Sequence, residues 1–149
     1  LEKLDKNSYT CFFVGSGPMK KDIDKMINRG LISAKNYNYC TPDILANLMC
    51  KSDIYLSLSR RDPFSRILSE ALCCGCFCLN SINDDATFDL IKEGSNGYNV
   101  YPDDLDKTIE IIKKVLSRKF DPQLKKNISN KFENSILDYA NDIICTTLK

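Results

Sequence analysis

The stretch from residue 53 to residue 80, DIYLSLSRRDPFSRILSEALCCGCFCLN, carries the clearest alternation of strand and helix signals in the sequence. Residues 53–59 form a β-rich run that predicts a strand. Asp62-Pro63 is typical of a helix start, and the predicted helix runs to about residue 74, with Gly75 as its cap. The short apolar run at 76–80 is typical of a buried parallel strand. The stretch therefore predicts a strand-helix-strand unit.

The same alternation continues on both sides of this unit. Further strands are predicted at residues 8–14, 35–39 and 97–100. Further helices are predicted at 19–28, from Thr41-Pro42 onward, at 85–93, at 105–116, and from Asp121 with a break near Ile128-Ser129. This order predicts an α/β fold, namely one Rossmann-like domain whose parallel sheet of about five strands carries helices on both faces.

The first residues fit this alternation poorly. Residues 1–6 read as the end of a helix with nothing before it. Because a doubly wound domain normally has a strand ahead of such a helix, we expect the chain to begin inside a domain, with residues 1–149 as one unit and 121–149 as its closing helices.

Charge and hydropathy exclude several classes of protein. Lysine plus arginine total 21 against 20 acidic residues, and this net charge of +1 gives no electrostatic support for a nucleic-acid partner. The longest uncharged stretch, residues 71–83, is too short and too polar to span a bilayer. No basic start followed by an apolar run marks a signal peptide.

Eight cysteines are many for this length, and four of them (73, 74, 76 and 78) lie within six residues. Backbone geometry would frustrate pairing among these four, so we expect free, buried thiols and a protein of the reducing cytoplasm. The cluster has no distant C-x-x-C partner and the chain has no histidine, which makes a metal site the weaker interpretation. The absence of histidine also excludes Ser-His-Asp and Cys-His nucleophiles within this chain.

In open parallel sheets, ligands bind outside the carboxyl ends of the strands, so the loops there are the candidate sites. Gly15-Ser16-Gly17-Pro18 follows the first predicted strand. Its glycines allow backbone amides to approach a phosphate at the positive end of the next helix. A tight turn without a ligand explains the same residues equally well.

Two carboxylates mark the loop and helix after the strand at 53–59. Asp62 lies at the mouth of the sheet, and Glu70 lies eight residues later in the predicted helix. A spacing on the order of 10 Å suits the two ends of a sugar-diphosphate-ribose ligand, and we expect Glu70 to face the crevice. The alternatives are that Asp62 is an N-cap and that Glu70 is an ordinary exposed carboxylate.

The order of these motifs resembles that of a known enzyme family. Strand, GSGP, helix, strand, helix, then SDIYLSLS, acid-x7-Glu-Ala-Leu-x-x-Gly, strand and DLIKEGSNGYNV is similar to the C-terminal, donor-binding domain of GT-B retaining glycosyltransferases of group 1, also called family 4. The resemblance covers roughly residues 9–116. It implies a donor such as a UDP- or GDP-sugar, retention at the anomeric carbon, no cofactor and no obligatory metal.

The resemblance also assigns residues. It implies that Glu70 bonds the ribose hydroxyls and that the sugar is met by Asp62 and the backbone around Phe64, Ser65, Arg66 and Ile67. Phosphate contacts are expected from Gly15, Ser16 and Gly17, and base contacts from Tyr39 and Cys40. The acceptor would belong to a missing N-terminal domain, and peripheral membrane association of a full enzyme stays open.

Three departures from the family pattern bear on activity. The first acid is usually glutamate, and Asp62 is one methylene shorter. Ser65 stands where the family has glycine. The family's phosphate-binding arginine and lysine precede the first predicted strand and are expected to be missing, so this chain alone is expected to be inactive.

Two other functions fit an α/β chain of this size. A nicotinamide-dependent dehydrogenase is disfavoured because G-x-G-x-x-G is absent and no acid ends the second predicted strand, where Tyr39-Cys40-Thr41 stands. A flavodoxin-like binding or signalling module without transferase activity remains the alternative interpretation.

Overall fold

The structure, a computed structural model, describes residues 1–63 and 65–147; the description excludes the side chains of residue 135 and of residues 138–147. Within this part, five strands alternate with six helices. The strands are β1 (Cys11–Val14), β2 (Ala34–Tyr37), β3 (Ile54–Leu56), β4 (Phe77–Ser81) and β5 (Gly97–Val100). The helices are α1 (Lys20–Asn28), α2 (Pro42–Lys51), α3 (Arg66–Cys73), α4 (Ala86–Leu90), α5 (Leu105–Leu116) and α6 (Pro122–Thr147).

The strand pairings are all parallel, which confirms the predicted α/β architecture, but they form two ladders rather than one sheet of five. One ladder has the order β1-β2 and the other the order β3-β4-β5. The strands β1 and β3 do not pair with each other among the described residues.

The hydrophobic core belongs to the second ladder. All five residues of β4 are buried, since β4 lies between β3 and β5 and is covered by helices. From α3, the side chains of Leu68, Ala71 and Leu72 reach this core and are fully buried. In the first 40 residues only Ile32 is a buried apolar residue, and it lies outside this core. The ladder β1-β2 is therefore a thinly packed appendage.

Helix α6 closes the core from the side of α3. Ile128 is buried there, and the Ser129 hydroxyl donates to the Cys73 carbonyl at 2.7 Å. The Lys125 ammonium donates to the Cys50 carbonyl at the end of α2, also at 2.7 Å. The predicted break near Ile128-Ser129 is wrong, because both residues are held in contact with the core and α6 continues through them.

Two other predicted boundaries are also wrong. Helix α3 begins at Arg66 with Ser65 as its N-cap, and not at Asp62-Pro63. The backbone of Asp62 is instead paired with the connection after β4, which keeps it out of the helix. Residues 1–6 form turns rather than the end of a helix, with the Leu4 amide bonded to the Leu1 carbonyl.

Candidate functional site

The carboxyl end of the second ladder brings two loops together: the 57–65 loop after β3, of which residue 64 is not described, and the 82–85 loop after β4. The Asp62 amide donates to the Asn83 carbonyl at 3.0 Å, and the Asp85 amide donates to the Asp62 carbonyl at 3.2 Å. The Ser81 hydroxyl donates to the Ser59 carbonyl at 2.6 Å. The backbone position of Asp62 is therefore fixed by the neighbouring loop.

A buried carboxylate lies at the junction of these loops. Asp84 is fully buried, and its oxygens accept from the Ser65 amide at 3.3 Å, the Ala86 amide at 3.0 Å and the Asn80 side-chain amide at 2.7 Å. The same Asn80 amide group donates to the Thr87 hydroxyl at 2.7 Å. No described lysine or arginine pairs with Asp84, and its three described hydrogen-bond donors are all N–H groups.

Tyr55 of β3 reaches the same junction from the other side. Burial raises the pKa of its hydroxyl above the usual value, although hydrogen bonds with Ser65 and Ser57 act to lower it. The phenol therefore stays neutral and can donate a hydrogen bond at the mouth of the sheet.

Helix α3 points its N-terminal end into this region. The Ser65 hydroxyl accepts from the Leu68 amide at 3.4 Å, whereas the amides of Arg66 and Ile67 have no acceptor within the helix. The side chains of Arg66 and Ile67 are exposed. Free amides and the helix dipole make this end of α3 attractive to an anion.

The two predicted acids lie on this loop and helix. Asp62 is half-buried, and Glu70 is exposed one turn into α3. No described cation forms an ion pair with Glu70. The structure thus groups Asp62, Ser65, Arg66 and Ile67 around the start of α3, while the predicted sugar contact at Phe64 lies outside the described residues.

The predicted phosphate and base loops lie at the carboxyl end of the first ladder. Gly15 has φ +128°, and its amide donates to the Tyr37 carbonyl at 2.9 Å, so it extends the ladder. The amides of Ser16 and Gly17, both exposed, have no described acceptor. Tyr39 is 80% exposed and Cys40 is half-buried just after β2.

No described hydrogen bond or ion pair connects these two loops with the 57–65 loop. Their predicted contacts with phosphate and base therefore stay predictions.

Sequence reasoning missed the buried network of Asn80, Asp84 and Thr87. Its signal is the polar run at residues 80–85, NSINDD, which follows the apolar strand segment at 77–79 directly. Carboxyl ends of adjacent parallel strands meet at the same edge of a sheet, so this run had to lie beside the 57–65 loop.

The cysteines lie away from this site. Seven of them are free thiols, and the side chain of the eighth, Cys145, is not described. Cys50 and Cys74 line a hollow with Asp53, which precedes β3, so the hollow lies at the amino ends of the strands. The described residues contain no group of three metal-ligating side chains. None of the described helices is long and apolar enough to cross a bilayer.

Comparison with known sequences identifies a family. The sequence model of the family described as "Glycosyl transferases group 1" matches residues 1–134. The match includes both loops of the candidate site and the packed part of α6. No curated protein matches the chain at a significant level.

Solved structures share the fold. HepE of Anabaena, in complex with UDP, matches with a TM-score of 0.69 and 24% identity over 93% of this chain. Sucrose-phosphate synthase of Thermosynechococcus elongatus matches with a TM-score of 0.65 and 19% identity over 92%. WaaG, a glycosyltransferase involved in lipopolysaccharide biosynthesis, matches with a TM-score of 0.65 and 18% identity over 91%.

The chain spans 40%, 38% and 38% of the lengths of these three structures, respectively. The α/β fold with parallel strands, the acid-x7-Glu pattern after β3 and the family match over residues 1–134 agree with one another. On this evidence, the chain belongs to the glycosyl transferases group 1 family.

Proposed function

We propose that this chain is the donor-binding half of a glycosyltransferase, which holds a nucleotide-diphospho-sugar for retaining transfer of a hexose to a glycan, lipid or other acceptor. The observation that carries the proposal is the family match over residues 1–134. Similar structures hold UDP, or UDP-glucose in another complex of HepE, which supports a UDP-sugar as the first donor to test.

The start of α3 suits the charged centre of such a donor. The free amides of Arg66 and Ile67 face the phosphates in this proposal, and Asp62, fixed by the 82–85 loop, accepts from sugar hydroxyls. Glu70, which has no described cationic partner, accepts from the ribose hydroxyls. Each contact uses a group that the fold leaves without a competing partner or holds in place.

The remaining contacts come from the first ladder. The amides of Ser16 and Gly17 meet phosphate, and the loop at Tyr39-Cys40 meets the base. Tyr39 is the most exposed aromatic group near this end of the ladder, and an exposed ring is suited to stacking on a planar base.

The proposed reaction does not require this donor-binding domain to supply a side chain that acts as an acid or a base. The pyrophosphate of the donor is the leaving group and carries negative charge. Electrostatic stabilisation of that charge is therefore the main contribution of the donor-binding domain. Helix N-termini supply part of it. Arg61 and Arg66 are exposed beside the start of α3, whereas Arg60 lies 3.7 Å from Asp103 in an exposed pair.

The acceptor side belongs to a second domain in this proposal. The nucleotide-sugar is a substrate, and the proposal includes no cofactor and no metal. A cytoplasmic location, with peripheral membrane association for acceptors that are lipids, belongs to the same proposal.

The test is calorimetric titration of the chain with UDP, UDP-glucose, GDP, ADP and NAD. We expect saturable binding of a nucleoside diphosphate and its sugar conjugate, and weaker binding of NAD, whose pyrophosphate carries a second nucleoside in place of a sugar. Preference for NAD, or binding of flavin mononucleotide in place of all of these, would support a module of the flavodoxin-like class and contradict the proposal.

A further inference from the structure

We propose that Asp84 is a positioning residue for the donor site: its buried carboxylate fixes the 57–65 loop and so sets the places of Asp62 and the start of α3. The inference rests on the proposed function for its ligand, but its structural part stands on hydrogen bonds alone. Neither the family pattern nor the predicted site includes this residue.

The contacts of Asp84 connect three elements. Through Ser65 it holds the residue that caps α3, through Ala86 it holds the first residue of α4, and through Asn80 it is tied to β4. The distances are 3.3, 3.0 and 2.7 Å, respectively. One side chain therefore determines how far the start of α3 lies from the carboxyl end of β4.

A carboxylate at a fully buried position would lower the stability of the fold if packing were its only role. Removing an ion from water carries a large penalty, which hydrogen bonds must offset, and Asp84 is fully buried without a described cation. The Ser65 and Ala86 amides donate to one oxygen of Asp84 and the Asn80 amide donates to the other. An asparagine has one acceptor oxygen, so its NH2 group would face either the Asn80 amide or the two backbone amides. Three convergent donors require an acceptor with two oxygens.

The same loop is bound along its length. Asp62 is bonded to Asn83 and Asp85 by its backbone, and Ser59 accepts from Ser81. These bonds depend on the backbone conformation of the 82–85 loop. Asp84 stabilises that conformation by accepting a hydrogen bond from the Ala86 amide, two residues later. Loss of the carboxylate should therefore loosen the 57–65 loop as a unit.

The variant Asp84→Asn tests this inference, with Asp85→Asn as the matched control, because Asp85 is an exposed neighbour in the same loop. Amide hydrogen exchange by mass spectrometry on a peptide that covers residues 57–66 reads loop order without any ligand, and a peptide from α5 reports global opening. We expect exchange in the first peptide to accelerate about tenfold or more in Asp84→Asn only, because the new side-chain NH2 group must face hydrogen-bond donors on one of its two sides and leaves them without an acceptor. The α5 peptide should not change.

Calorimetric titration with UDP and UDP-glucose provides a second measurement on the same variants. The affinity ratio of UDP-glucose to UDP should fall in Asp84→Asn. Both ligands share the phosphate contacts at the start of α3, but only UDP-glucose also loses the sugar contacts of Asp62. Wild-type chain that binds neither ligand would sink the proposed function, but hydrogen exchange would still decide the role of Asp84.

A double variant that exchanges the two side chains keeps the inference testable if Asp84→Asn alone does not fold. In Asn80→Asp combined with Asp84→Asn, the amide at residue 84 donates to the carboxylate at residue 80, and its oxygen still accepts from Ser65. Wild-type protection of residues 57–66 in this double variant supports the inference. Two results would overturn the inference. One is hydrogen exchange of residues 57–66 that is equal in Asp84→Asn and wild type. The other is a folded double variant in which these residues exchange as fast as in Asp84→Asn.

Discussion

Ser65 shows how one side chain changes the start of α3. The family has glycine at this position in the resemblance, but φ at Ser65 is −78°, a conformation open to any residue. Its hydroxyl caps Leu68 and its amide donates to Asp84, so the side chain turns toward the helix. Backbone approach of a ligand to this residue is therefore limited by the size of serine and not by strain.

Replacement of Glu70 by alanine tests the ribose contact. We expect the affinity for UDP to fall by about tenfold or more, because ribose hydroxyls lose a charged acceptor. Isothermal titration gives the affinity, and unfolding of the exposed-site variant should match wild type within about 0.5 kcal/mol.

Glu110→Ala is the matched control for this prediction, since Glu110 is an exposed carboxylate on α5. Binding that is indifferent to Glu70→Ala but sensitive to Glu110→Ala would count against the proposed placement of the ribose.

The buried thiols make stability fall in alkali. Burial raises the pKa of Cys76 to about 11, although Lys125 opposes the shift, and burial together with a hydrogen bond to Cys50 raises the pKa of Cys74 to about 12. A raised folded pKa stabilises the neutral thiol relative to the unfolded chain. This contribution is complete below the unfolded pKa and is lost as pH rises through the folded pKa.

We therefore expect the free energy of unfolding, measured with urea in a reducing buffer, to decline from about pH 9 upward. The decline should be shallower in Cys76→Ala than in wild type. Cys40→Ala, which removes a thiol outside the core, serves as control; equal slopes in all three proteins would refute the role of Cys76.

At the scale of elements, the sequence predicts what local signals determine. The bounds of β5 and α5 agree with the prediction, because an apolar run and a strong amphipathic pattern define them. Helix α3 starts later than predicted because the backbone of Asp62 is hydrogen-bonded to the 82–85 loop. The local sequence Asp62-Pro63 does not reveal this tertiary contact. The continuity of α6 has the same origin, for Ile128 is buried by contacts distant in sequence.

The candidate site shows the same division. Asp62 and Glu70 were predicted from their spacing together with the family resemblance, whereas Asp84 acquires its contacts only when two loops meet, and no single stretch of sequence specifies its partner Ser65.

The end of α3 offers a prediction at this scale. Gly75 has φ +76°, and a β-carbon there would collide with the Lys125 carbonyl of α6. We expect Gly75→Ala to destabilise the protein by about 2–4 kcal/mol, from left-handed strain and separation of α6 from α3. Gly17→Ala is the control, because a β-carbon at Gly17 meets nothing within 4 Å. Chemical denaturation that finds both variants equally stable would contradict this packing.

At the scale of the whole molecule, the chain is about two fifths as long as the structures it resembles. The packed part is the second ladder with its helices, and the first ladder contributes two loops to the proposed site. The proposed function is limited to donor binding, since the cleft of a transferase needs groups to orient the acceptor as well.

We accordingly expect residues 1–149 to bind nucleotide without transferring sugar. In the proposed function the chain supplies only the donor side of a cleft, and one side alone does not orient two reactants, an orientation that provides much of the rate enhancement. The measurement is release of UDP from UDP-glucose in the presence of lipid and glycan acceptors, with Asp62→Ala as a background control. Acceptor-dependent release that Asp62→Ala abolishes would show that the chain is active alone.

The separation of the two ladders also determines where a protease should enter. Tyr39, 80% exposed, lies in the connection between the ladders, whereas Phe77 in β4 is fully buried. Chymotrypsin at low concentration should therefore cut after Tyr39 first and leave a resistant fragment that begins at Cys40 and retains the whole core. Tyr39→Ser should delay this cleavage, and bound nucleotide should do so too if the ring stacks on the base. An initial cut within β3, β4 or β5 would show that the molecule does not open at this connection.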